Sequence, residues 1–399
     1  MQQHRNLFFL LTLMAGMTAL SVDIYLPSMP ALAVAMNVSP GTIGLTVSVF
    51  ILSFAFGQLI YGPLADRFGR RKPLLVGLAI YLVANLICAF ATNIEVLLFG
   101  RLLQGLGACA GSVVAQAVVR DVAKGSEGTR LLASVASAMA LAPIIAPVIG
   151  GMLETHFSWR ASFYFLVVFG AALSALLFFA LPETAPPARQ RLGVGPVARA
   201  YLGVSRHPSF VFFTMLGGLA SCALFAFIST SSALIVDGMG FTPDLYGMLF
   251  GANAVTYMIG SIVAKKLAAR MDNRSLALAG TGAVAVGGGL MVIGGALLGD
   301  QIWVLLVPMA LTTMGVAAVT PAAMSGAMEP FGNQAGTASA LHGCFRFVAA
   351  AVVTAVLGLF TVDVVVLGIA IAACGAFGLL WPSLGSRRTE VVGEAVNAG

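Results

Sequence analysis

The chain has 399 residues, of which 59% are hydrophobic, 9% charged and 46 are glycine, and its mean hydropathy is +0.98. Soluble domains carry about a quarter charged residues, and a transmembrane barrel alternates apolar and polar positions over segments of about ten. The continuous Ala, Leu, Val and Gly runs here exclude both, and the net charge of +6 forms no single basic patch of the kind that binds nucleic acid.

At roughly 20 apolar residues per crossing, the sequence predicts an all-α polytopic membrane protein with twelve spans and no room for a soluble catalytic domain. They fall at about 7 to 27, 41 to 61, 73 to 92, 95 to 119, 129 to 152, 161 to 181, 209 to 233, 244 to 264, 275 to 298, 302 to 327, 334 to 359 and 362 to 381. Arg5 ahead of the first run and Ala31-Leu32-Ala33 after it imitate a signal peptide, but the run is long and many more follow. The longest polar interruption divides the chain into a six-helix bundle (1–181), a linker (182–208), a second six-helix bundle (209–382) and a tail (383–399). Lys and Arg fall on alternate connections, 18 of 21 on one side, with only Arg101, Arg160 and Arg346 elsewhere. The positive-inside rule therefore places both termini and the linker in the cytoplasm. The five cysteines sit inside apolar runs without metal-like spacing and read as core residues.

In chain order, the first chemistry-bearing residue is Asp23, the only acid within an apolar span. Burial disfavours a carboxylate and a nearby cation favours it, so Asp23 is a candidate proton-coupling site; the bland alternative is a helix-end acid in water, since Pro27 and Pro30 follow closely. Phe50 and Phe54 share a face of the second span. The next connection reads Gly62-Pro63-Leu64-Ala65-Asp66-Arg67-Phe68-Gly69-Arg70-Arg71-Lys72, a tight turn with glycine at both ends and an acid among bases. Asp66 can there pair with arginine or face a helix N-terminus.

Arg101 and Gln104 lie three apart in the fourth span, hence on one face. Arg101 cannot release a proton; it can bias Asp23, bind a polar substrate group, or simply tie helix-end carbonyls. The fifth span carries Pro143-Ile144-Ile145-Ala146-Pro147-Val148-Ile149-Gly150-Gly151, a pattern for a kinked, closely packed helix. Asn253 and Tyr257 share a face of the eighth span, and His342 and Arg346 share one in the eleventh. His342 is a second proton-site candidate, although a membrane histidine is more often a packing residue. Tyr25, Phe50, Phe54, Gln104, Asn253, Tyr257 and Arg346 are candidate substrate contacts, with helix packing the alternative for each stripe.

The Gly62 to Lys72 segment resembles the signature between the second and third helices of the major facilitator superfamily, and Arg101-Leu102-Leu103-Gln104-Gly105-Leu106-Gly107-Ala108 resembles its fourth-helix arginine motif. The Pro143 to Gly151 segment is similar to the fifth-helix motif of its proton antiporters, with Ala146 where glycine usually precedes the proline. Val22-Asp23-Ile24-Tyr25-Leu26-Pro27-Ser28-Met29-Pro30 and Ser158-Trp159-Arg160-Ala161-Ser162-Phe163 resemble the Bcr/CflA branch of drug:proton antiporters.

The resemblance implies two pseudo-symmetric bundles, alternating access, and export of small amphipathic antibiotics of the bicyclomycin and chloramphenicol kind in exchange for protons. It further implies a monomer in a bacterial inner membrane, with no cofactor or metal. Gly62, Asp66, Arg67, Gly69, Arg70 and Arg71 become a conformational gate on this reading, with the N-terminus of the eleventh span, near Asn333, as a partner for Asp66. Proton-coupled uptake on the same fold is the main rival, and a non-transporting membrane sensor a weaker one. An enzyme is disfavoured by four scattered histidines and the lack of HExxH or GxSxG.

Overall fold

The computed structural model describes residues 2–122, 141–184 and 194–397. Two helices, α1 (Gln2–Asp23) and α2 (Met29–Met36), are joined by a 3-10 turn at Leu26–Ser28. Next come α3 (Pro40–Phe68), α4 (Arg71–Ala89), α5 (Ile94–Val122), α6 (Ala142–His156), α7 (Trp159–Ala180) and α8 (Val194–Ser205). The remainder is α9 (Pro208–Ser232), which runs into a π turn at Ala233–Gly238, then α10 (Pro243–Leu267), α11 (Asn273–Leu298), α12 (Ile302–Met328), α13 (Ala335–Leu357) and α14 (Val364–Asn397).

Proline in the first turn opens α3, α6, α9 and α10, where its missing N–H costs nothing. Side chains supply the other start signals. Ser39 accepts from the Thr42 N–H at 3.2 Å to cap α3, and Asp272 accepts from the N–H groups of Arg274 and Ser275 to cap α11.

Among the described residues, eleven stretches are long and apolar enough to cross a membrane. The fifth predicted span lies partly outside the described residues, and α6 is its described portion. Three sequence expectations need correction. The first span does not stop near residue 27 but runs from Phe9 to Met36, because Pro27 and Pro30 each sit in the opening turn of a new helical segment. Gly62 does not start a turn, since α3 continues through Pro63 to Phe68 and the chain breaks only at Gly69, whose φ is +88°. Part of the linker is helical, as α8, with Val204 buried and Leu202 exposed. Trp303 is exposed, whereas Trp159 is buried against Phe163.

The internal repeat is far clearer in the packing than in the sequence. Helix α5 is the hub of the first half, against α1, α3 and α4, and α4 also meets α7. In the second half α12 is the hub against α9, α10 and α11, and α11 meets α14, the same pattern shifted by six spans. Small residues allow these approaches; a Cβ on Gly107 of α5 would lie 2.6 Å from the Tyr81 nitrogen of α4.

Two antiparallel pairs join the halves: α3 with α13, and α6 with α10. Along the first, Gly41 meets Gly358, Ser48 hydrogen-bonds Thr354 at 2.7 Å, Phe54 meets Phe347, and Gln58 touches Gly343. Beyond that point the partners end, and a Cβ on Gly62 or Gly336 would meet nothing within 4 Å. Along the second, Gly151 lies on Pro243 and Asp244, Gly247 on Pro147, and Gly251 on Ile144. The α3 and α13 seam is therefore tightest at the end away from the basic loops.

Candidate translocation path and gates

The N-terminal half is centred on Arg101, which is fully buried. Its Nη1 donates to the Ser21 carbonyl of α1 at 3.1 Å and to the Gln104 side chain, and its Nε donates to the Thr46 carbonyl of α3 at 3.3 Å. The guanidinium lies 4.1 Å from the Tyr25 ring centroid and 4.5 Å from that of Phe50. Tyr25 hydrogen-bonds Thr46, Ser21 hydrogen-bonds Tyr81, and the Gln104 amide donates to Asn85 at 2.7 Å. This network stitches α1, α3, α4 and α5 together. Of the suggested substrate contacts, Tyr25, Phe50 and Gln104 are buried in it, and the tie to backbone carbonyls is what Arg101 makes in this conformation.

Arg101→Ala is expected to remove the charged donor that ties Ser21, Thr46 and Gln104 together and to leave a cavity in its place, at a cost of about 3 kcal/mol. Thermal unfolding in detergent should record it as a clearly lowered Tm, with Arg101→Lys between parent and Ala. An unchanged Tm for Arg101→Ala would contradict the tie.

Asp23 sits at the centre of its span, with 14 residues of Phe9–Met36 before it and 13 after. It is 3% exposed, ends α1 at the kink, and forms no ion pair with Arg101. The cation expected beside it is turned instead toward Ser21 and Thr46. Around the kink, Gly150 of α6 packs on the Ile24 backbone and Ser162 of α7 donates to the Ile24 carbonyl. From the other half comes Tyr246 of α10, which hydrogen-bonds Ser231 and lies within electrostatic reach of Asp23. The water-exposed helix end weighed for Asp23 is not what the fold provides.

At the basic end, Arg70 donates to Asp66 at 2.5 Å and to Asp121 of α5 at 2.7 Å. Partial burial works against the Arg70 charge, but the hydrogen bonds and charges of Asp121 and Asp66 outweigh it and push its pKa upward. Glu183 accepts from the N–H groups of Arg70, at 2.8 Å, and Arg71. The acid facing a helix N-terminus is thus Glu183 at the start of α4, whereas Asp66 engages Arg70 and not α13, which begins at Ala335 after a 3-10 segment. Arg67 lies over Phe68, and Arg71 donates to the Phe178 carbonyl. Asp66→Asn should leave the protein folded, because Arg70 keeps Asp121, yet slow turnover several-fold; equal transport at matched expression would remove Asp66 from the gate.

In the second half His342 is 2% exposed and its Nδ1 hydrogen-bonds Thr214 at 3.0 Å. Arg346 follows one turn later, within electrostatic reach of Tyr257. Phe54 joins this group through Phe347, 5.2 Å away between centroids, and Phe225 lies 5.8 Å from Phe347. Asn253 is buried on α10. The antiporter-like segment of α6, from Pro143 through Pro147 to Gly150 and Gly151, forms one seam between the halves. Sequence reasoning missed Ser21, Thr46, Tyr81, Asn85, Tyr246, Phe225, Phe347 and Glu183, whose partners lie on other helices and leave no local signal.

An all-helical membrane protein whose two halves repeat one packing plan and meet along two antiparallel seams has the architecture of a carrier. The family model for the Major Facilitator Superfamily matches residues 11–354, and the chain belongs to that superfamily. It is 31% identical over 344 residues to Multidrug resistance protein D of Escherichia coli (strain K12), covering 86% of each chain. It is 28% identical over 365 residues to a bicyclomycin resistance protein homolog of Haemophilus influenzae, covering 91% of this chain and 92% of that one. Among solved structures, a bacterial homolog of the human lysosomal transporter Spinster, inward-facing and occupied, superposes with a TM-score of 0.75 at 14% identity, covering 95% of this chain and 92% of that one. The fold is that of the superfamily, and the chain is a multi-pass membrane transporter akin to Bcr/CflA-type drug transporters.

Proposed function

We propose that the protein exports small amphipathic antibiotics across the bacterial inner membrane in exchange for protons, by alternating access of its two bundles (1–181 and 209–382). The observation that carries the reading is Asp23, a buried carboxyl with no cation partner, at the kink of the first span where both halves meet. A carboxyl in low dielectric is costly as an isolated charge, so a change in its surroundings between states translates into proton capture and release. With the basic loops cytoplasmic, the seams close the periplasmic end and this conformation faces inward. Likeness to resistance proteins of two bacteria supports drug efflux over uptake.

Reconstituted protein in liposomes with an imposed ΔpH tests this. Accumulation of a chloramphenicol-like drug against its gradient, with proton movement in the opposite direction, is the expected result. Movement of drug and proton in the same direction would establish symport instead, and no flux under any gradient would remove transport of this substrate class.

A further inference from the structure

Arg101 and Arg346 lie deep within their spans, and the protein engages them unequally: Arg101 leaves only its Nη2 without a partner. Arg101 is engaged by the carbonyls of Ser21 and Thr46 and by Gln104. Arg346 stands midway along α13, with 11 residues of Ala335–Leu357 on either side. Among the described residues it forms no ion pair or hydrogen bond, and its Nε is buried without a partner. A guanidinium at that depth cannot reach the membrane surface, and the Phe347 ring beside it offsets only part of its cost.

The side chains around it are of the kinds that hold an amphipathic molecule. Arg346 lies 4.7 Å from the Phe347 ring centroid, and Phe347 meets Phe54 from the other half and Phe225 edge-on. Tyr257 adds a hydroxyl within electrostatic reach of the guanidinium. One turn before Arg346, the buried His342 holds Thr214 with one nitrogen while its Nε2 has no partner. Asp23, the acid at the centre of the first span, makes no ion pair with Arg346.

Resting on the transporter reading above, we infer that Arg346 is the centre of an anion subsite. The preferred substrates are aromatic compounds bearing a carboxylate, the ring held by Phe54, Phe225 and Phe347 and the charge by Arg346 with Tyr257. Neutral drugs use the aromatic part alone. The planar fork of arginine matches a carboxylate bidentately, which an amide of the same shape cannot reproduce.

The test uses the purified full-length protein and two probes of equal ring size, radiolabelled naphthalene-1-carboxylate and naphthalene-1-carboxamide. The parent is expected to bind the carboxylate about ten-fold or more tightly than the amide. Arg346→Gln should erase that preference while changing carboxamide affinity by less than about two-fold, and Arg346→Lys should restore part of it. Tyr257→Phe, which keeps the ring, should cost the carboxylate alone a smaller factor, and serves if Arg346→Gln does not fold. Equal affinity of the parent for both probes, or equal weakening of both by Arg346→Gln, overturns the subsite. Flux of a neutral drug under ΔpH separates the two claims. Neutral flux without probe preference leaves efflux standing and removes the subsite, whereas probe preference without any neutral flux keeps the subsite and removes efflux of neutral drugs.

Discussion

Asp23→Asn is expected to abolish ΔpH-driven drug accumulation while leaving drug binding in place. A gradient of one pH unit is worth about 1.4 kcal/mol per proton, a ten-fold concentration ratio. Parent liposomes should approach that ratio per proton exchanged, and Asp23→Asn liposomes should settle near a ratio of about 1 at every pH. The amide is nearly isosteric with the protonated acid, so the packing of Ile24 on Gly150 and the Ser162 bond to its carbonyl remain. Full accumulation by the variant would move the proton site elsewhere, with His342 next in line. Loss confined to cationic drugs would make Asp23 a substrate contact. Because Arg101 is turned away from Asp23 in this conformation, Arg101→Ala should act mainly through stability and not through the pH profile of transport.

Gly247→Leu is expected to reduce transport to background by preventing closure of the end away from the basic loops. A Cβ at this position overlaps the Pro147 carbonyl and lies 2.9 Å from its carbon and 3.1 Å from the Val148 Cα. These are backbone atoms and cannot rotate aside. Spin labels at Ser39→Cys and Leu359→Cys, on the other seam, report the consequence, since both sites are exposed and the five native cysteines are buried. A longer separation in the variant is expected, because two rigid halves cannot close one seam while the other is wedged open. An unchanged separation with normal flux would show that the α6 and α10 contact is not required for closure.

Much of the architecture could be read from the chain because the membrane enforces it. Apolar length and the side preference of Lys and Arg mark span after span, and the Gly62 to Lys72 segment points to the family. Errors arose where proline was taken as a stop. Pro27 and Pro30 begin segments, and Pro63 is carried within α3, so the first span is longer and the turn after α3 shorter than the pattern suggests. The site was legible only as a set of residues. Asp23, Arg101, His342 and Arg346 stand out because charge is rare in such a chain, but which of them meet depends on packing between helices, and no local period encodes it. Nothing within the linker marks Glu183 as the cap of a helix more than a hundred residues earlier.

The seams and the basic end are held by different physics. At the end away from the basic loops glycine backbones meet, at Gly41 with Gly358 and at Gly247 with Pro147, and contacts of that kind freeze few side-chain rotamers. The cluster of Arg70 with Asp66 and Asp121 at the basic end lies wholly within the first half, and Asp66 is its exposed member. Ionic strength should therefore act on the exposed Asp66 contact, through screening over about 10 Å at 0.1 M, while the backbone seams stay indifferent to it.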